Sequence, residues 1–149
     1  VAVTLETLVA AWKTNMAKIT VANGFYTTIA TVTDWGPRPT DVSQLPAIDV
    51  RDMDASADQI SLGSDQGGPD AAAEEHVQRF DITLAMNSTA TNLRKFIMDV
   101  RKCVRDNMTA TYELRYLGHE VIVDQEEKRI VGAVLRFDVT YRTALLGEE

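Results

Sequence analysis

Cysteine occurs once, at Cys103 among 149 residues, so no disulfide forms within the chain and a cysteine-built zinc cluster is excluded. Histidine occurs twice, and neither His76 nor His119 stands in an HExxH or His-x-His spacing. Basic residues are outnumbered, 15 against 22 acidic ones, for a net charge of −7. That balance argues against a general nucleic-acid binder, which needs a Lys/Arg surplus to neutralise phosphate. It is compatible with a wall past which nucleic acid slides without being gripped. No apolar run approaches the roughly 20 residues of a membrane helix. The first residues lack the basic leader of a secretory signal, and Glu6 and Lys13 interrupt their apolar stretch. Repeats of 20–50 residues and internal linkers are missing as well, so the expectation is one domain over residues 1–149.

What is present is a strong alternation of patterns. Leu5, Leu8, Val9, Trp12, Met16 and Ile19 recur at helical spacing after Thr4, a suitable N-cap, and Asn23-Gly24 reads as the stop. Phe25 to Trp35, rich in β-branched and aromatic residues, reads as a strand ended by Trp35-Gly36-Pro37-Arg38-Pro39. A second strand is expected over 46–53. His76 to Met86 alternates cleanly, with Phe80, Ile82, Leu84 and Met86 on one side. Asn87-Ser88-Thr89 then offers caps for a second helix whose apolar stripe is Leu93, Phe96, Ile97, Val100, Cys103 and Val104. Three further strands are expected as a meander, at 112–117, 119–123 and 131–142. The fold class expected is α+β, a mostly antiparallel sheet with two amphipathic helices packed on one face.

Two stretches carry charge of one sign. Residues 52–75 hold Asp52, Asp54, Asp58, Asp65, Asp70, Glu74 and Glu75 and no basic residue, with little apolar periodicity. The expectation is a long acidic loop at about 54–75, either ordered on a neighbouring molecule or simply solvated. Conversely, Arg94, Lys95, Arg101, Lys102 and Arg105 lie outside the apolar stripe of the second helix, five cations in twelve positions. Such a face suits the negative end of a helix in solvent, and equally suits an acidic neighbour or passing DNA.

Candidates for chemistry are sparse. Gly63-Ser64-Asp65-Gln66-Gly67-Gly68 lacks the Lys-Ser/Thr ending of a phosphate loop, and its aspartate would repel phosphate. The aspartates at 52, 54, 58 and 65 do not follow EF-hand spacing. Cys103 sits in an apolar stripe, where a packed thiol is expected. No enzyme, catalytic residue, metal site or cofactor is expected. A small-molecule binding domain or enzyme would need a buried polar cluster around His76 or His119.

Taken in order, the amphipathic helix, Asn23-Gly24-Phe25-Tyr26-Thr27-Thr28-Ile29, the Leu45-Pro46-Ala47-Ile48-Asp49-Val50 strand and the closing Phe137-Asp138-Val139-Thr140-Tyr141-Arg142-Thr143 resemble the tail terminator (tail-completion) proteins of long-tailed bacteriophages. The resemblance spans nearly the whole chain. It implies a homo-oligomeric ring, a hexamer, on the last ring of the tail-tube protein, which stops tube growth and meets a head-completion or connector protein. DNA would pass through the lumen without sequence-specific binding. The setting implied is the virion, at the head-proximal end of the tail, after assembly in the host cytoplasm, with no membrane. The alternative is another neck or tail component, a head-completion adaptor or tail-tube subunit. The contact residues expected are Trp35 and Arg38 in the 35–45 loop, Asp54, Asp58, Asp65, Asp70 and Glu74 in the acidic stretch, and the five cations of the second helix.

Overall fold

The computed structural model describes residues 4–37, 39, 41–61, 72–124 and 130–144. Helix α1 spans Leu5–Met16 and helix α2 spans Ala90–Asn107; the strands are β1 (Thr31–Asp34), β2 (Ala47–Ser61), β3 (Ala72–Met86), β4 (Glu113–Asp124) and β5 (Ile130–Ala144). They form one five-stranded sheet in the order β1-β2-β3-β5-β4. Only the β1–β2 pair is parallel. The α+β arrangement expected from periodicity is therefore present, with both helices on one sheet face.

Thr4 caps α1 reciprocally: its hydroxyl accepts from the Thr7 amide at 3.1 Å, and its own amide donates to the Thr7 hydroxyl at 2.9 Å. The helix ends at Met16 rather than at Asn23-Gly24, which instead closes a short 3₁₀ turn with Gly24 at φ 89°. Ile19 lies past the helix end but stays fully buried. Thr89 caps α2 by accepting from the Asn92 amide. Leu8, Trp12 and Met16 of α1 and Leu93, Phe96, Val100 and Val104 of α2 join Ile48, Val50, Phe80, Ile82, Leu84, Leu135, Phe137 and Val139 in one core. Trp12 lies at its centre, with ring centroids 5.4 Å from Phe80 and 5.2 Å from Phe137.

Two further boundaries differ from expectation. Only Thr31–Asp34 of the 25–35 stretch pairs as a strand, because the segment before it lies against the middle of α2 and gives its Tyr26 and Thr27 amides to the Asp99 side chain. The expected three-stranded meander is a two-stranded hairpin: β4 runs through Gly118, where one extra residue makes a bulge opposite Phe137 and Arg136. Gly118 takes φ 117°, a conformation open to glycine, so the chain bends without ending the strand.

The largest correction concerns the acidic stretch. Its described parts are strand rather than loop: β2 continues to Ser61 and β3 begins at Ala72, the two pairing from Ala55–Gln78 to Ser61–Ala72, while 62–71 lie outside the described residues. A bulge at Met53-Asp54 precedes this ribbon. Aspartate, alanine and serine leave no hydrophobic alternation, and ladder hydrogen bonds with a third strand, β5, hold the segment extended. Asp65 and Asp70 lie outside the described residues, as does Arg38.

Candidate interaction site

The two sheet faces handle charge differently. On the face away from the helices, opposite charges meet across strands. Arg79 faces Asp138 at 3.6 Å, Arg136 reaches Glu120 at 3.1 Å and Asp81 at 3.9 Å, and Arg142 reaches Glu75 at 3.4 Å. Arg51 is ion-paired with Asp49 and lies 5.0 Å from the centre of the Trp35 ring. Trp35 is an exposed turn residue with φ 51°, and its indole N–H donates to Asp52 at 2.9 Å. Strain of this kind costs about 1–3 kcal/mol and persists because the surroundings hold it; here the Trp35 amide also bonds the Val50 carbonyl.

On α2 the pattern reverses. Among the described residues, Arg94, Lys95, Arg101 and Lys102 form no ion pair; only Arg105 does, with its neighbour Asp106 at 3.0 Å. Three of these cations rest on aromatic rings instead. Lys95 lies 5.5 Å from the centre of Tyr26, Lys102 5.1 Å from Phe25, and Arg101 4.5 Å from Tyr116. Such contacts position a cation without cancelling its charge. The Tyr116 phenol is pushed above its ordinary pKa by burial, an effect that Arg101 opposes.

A cleft of about 520 Å³ opens beside this row, lined by Gly24, Tyr26, Met98, Arg101, Lys102, Arg105, Thr109, Leu114 and Tyr116. Its rim is held from below by Asp99, which is 2% exposed. The two carboxylate oxygens accept from the amides of Tyr26 at 3.1 Å and Thr27 at 2.9 Å, clamping the 24–28 segment to α2. Lys102 adds a bond to the Gly24 carbonyl at 3.2 Å. Tyr26 and Met98 consequently stand exposed at 64% and 55% beside the cations.

The described acidic residues of the 52–75 stretch lie on β2 and β3 rather than on the helices. Residues 52–78 carry no Lys or Arg. Asp54 in the bulge and Asp58 in the ribbon are exposed, whereas Glu74 is largely covered on the helix-side face. Glu74 lies 3.5 Å from His76, whose ring stacks on Tyr141 and whose Nε2 lies 2.9 Å from the Thr143 hydroxyl. His119 is exposed and lies 2.8 Å from the Tyr116 hydroxyl through its Nδ1. Among the described residues, no three His, Cys, Asp or Glu side chains gather where they could hold a metal ion. The Cys103 thiol is buried, donates to the Asn15 carbonyl, and is raised by desolvation to a pKa of about 11. None of this assembles a nucleophile with a base.

The structure thus brings Arg101, Lys102 and Arg105 to one cleft and extends Arg94 and Lys95 along the same helix. It places Asp54 and Asp58 on β2 and Trp35 in the turn that follows β1. Tyr26, Met98, Asp99 and Tyr116 were not anticipated. One signal for Asp99 was available: an acid three residues after Phe96 and four before Cys103 falls inside the apolar stripe, where it needs donors.

No protein-family model matches the chain, and comparison with curated proteins found no match.

Proposed function

We propose that the chain is a structural virion protein, a tail terminator of a long-tailed bacteriophage. In this reading it closes into a six-fold ring on the tail tube, stops tube growth and presents the surface to which the head joins. DNA passes through the ring. The reading rests on the order of elements and on the resemblance of the Asn23–Ile29 and Phe137–Thr143 segments. The observation that carries the assembly part is charge segregation. Arg79, Arg136 and Arg142 on the outer sheet face are paired with carboxylates, whereas Arg94, Lys95, Arg101 and Lys102 of α2 form no ion pair among the described residues, and Asp54 and Asp58 stand exposed on β2. Uncompensated fields of opposite sign on one chain favour association with another copy and set its register.

Electron microscopy and light scattering, with and without purified tail tubes, test this function. The expected result is discrete rings, and tubes that stop growing when the protein is added. Open tubes formed by the protein alone would refute it and point to a tube subunit. A monomer that never engages tube ends would refute it as well.

A further inference from the structure

We propose that the cation row and cleft of α2 receive the β2 edge bearing Asp54 and Asp58 from a second copy of this chain; the inference rests on the assembly reading above and names its contact.

Three observations converge on this occupant. First, the β2 edge is open. β1 pairs with β2 only over Ala47–Val50, so among the described residues nothing pairs with the outer edge of β2 beyond that point. An open edge with carboxylates is available to a neighbour and is poorly suited to recruit a further strand blindly. Second, the spacings agree. Arg94 to Arg105 spans eleven residues of helix, about 16 Å, and Asp54 to Asp58 spans four residues of strand, about 13 Å. Both carboxylates therefore fall within the length of the row. Third, the cations are pre-positioned on Tyr26 and Tyr116, which also supply apolar area at the cleft. Tyrosine and arginine in a partly enclosed cleft are the residue types that anchor protein interfaces.

Duplex DNA is the competing anion, but the chain as a whole carries −7 and the ribbon would repel it. A second copy presents exposed carboxylates, Asp54 and Asp58, on a strand whose outer edge is open there. Because the donor and acceptor surfaces differ, the contact is head-to-tail, and it either closes into a ring or runs open.

A reciprocal charge swap tests the contact. One variant is Arg101→Glu with Arg105→Glu; the other is Asp54→Lys with Asp58→Lys. All four side chains are exposed, and circular dichroism checks that both variants fold. Sedimentation velocity at about 0.1 M and about 1 M salt spans Debye lengths from about 10 Å to about 3 Å. The wild type should associate at low salt and lose association at high salt. Each variant alone should associate at least about tenfold more weakly, because like charges then face each other. An equimolar mixture should recover association, since each variant's altered surface is complementary to the other's.

Folded variants that associate like the wild type, or a mixture that does not recover, would overturn the contact. So would a wild type still monomeric near 1 mM, the range of the weakest specific contacts. A short duplex DNA that binds the wild type and not the arginine variant, with self-association unchanged, would assign the row to nucleic acid instead. Rings that cap tubes despite a failed swap would leave the terminator function standing and remove only this contact. A successful swap in assemblies that elongate into tubes would keep the contact and remove the terminator function.

Discussion

Replacing Asp99 by Asn separates a buried anchor from a coincidental hydrogen bond. The two Asp99 oxygens accept from the amides of Tyr26 and Thr27 at 3.1 and 2.9 Å. An amide side chain retains one acceptor oxygen and turns an NH₂ group toward the other N–H. At least one charge-assisted bond is then lost, worth about 1.5–3 kcal/mol, and a buried donor is left unmet at similar cost. A total near 3 kcal/mol is expected, a large part of the roughly 5–15 kcal/mol that holds a domain together. For a chain of 149 residues this lowers Tm by roughly 6–12 °C. Urea unfolding followed by circular dichroism measures it as a lower midpoint with unchanged slope. Hydrogen exchange should show the Tyr26 and Thr27 amides losing protection. Met98→Ala, next in sequence but exposed, is the control and should stay within about 0.5 kcal/mol. An Asp99→Asn variant within that same margin would refute the clamp.

Trp12→Ala should cost about 3–5 kcal/mol in urea unfolding, because it empties the space between Phe80 and Phe137. Gly132→Ala should destabilise by about 1–3 kcal/mol despite adding one methyl: its Cβ would lie 2.5 Å from the Leu84 carbonyl oxygen on the paired strand, and backbone yields poorly. The Cys103 thiol should resist iodoacetamide at pH 8 in the native chain and react readily in urea. Its folded pKa lies above the ordinary 9.0, so its contribution to stability is full below about pH 9 and is lost as pH rises toward about 11. A midpoint unchanged between pH 8.5 and 11 would contradict that sign.

The body of the fold was legible because its elements carry one apolar period each. The stripe of α2 and the alternation of Phe80–Met86 name their own faces. The ribbon was illegible for the same reason: Ala55, Ala57, Asp58 and Gln59 pack little, so nothing in their order distinguishes strand from loop. The break at Gly118 resembled a turn, yet a glycine at positive φ also serves a bulge. At the cleft the cations were visible as a charge surplus. Their aromatic supports were not, since Phe25, Tyr26 and Tyr116 come from segments remote in sequence that only the tertiary fold brings to α2.

The bulges in β2 and β4 lie nearly level across the sheet, one opposite Arg79 and Asp138, the other between Phe137 and Arg136. Together they make a crease. On each strand the extra residue inverts which positions face the helices, so removing Met53 alone would swing Asp58 to the opposite side. Beyond the crease the ribbon adds about 23 Å at seven residues per strand. Because β5 also pairs with β3 along this arm, from Val139 to Ala144, its length could change only if all three strands changed together. Val139 and Tyr141, which pair with Gln78 and His76 there, belong to the same buried core as Trp12, so the reach of the arm and the stability of the body are set together.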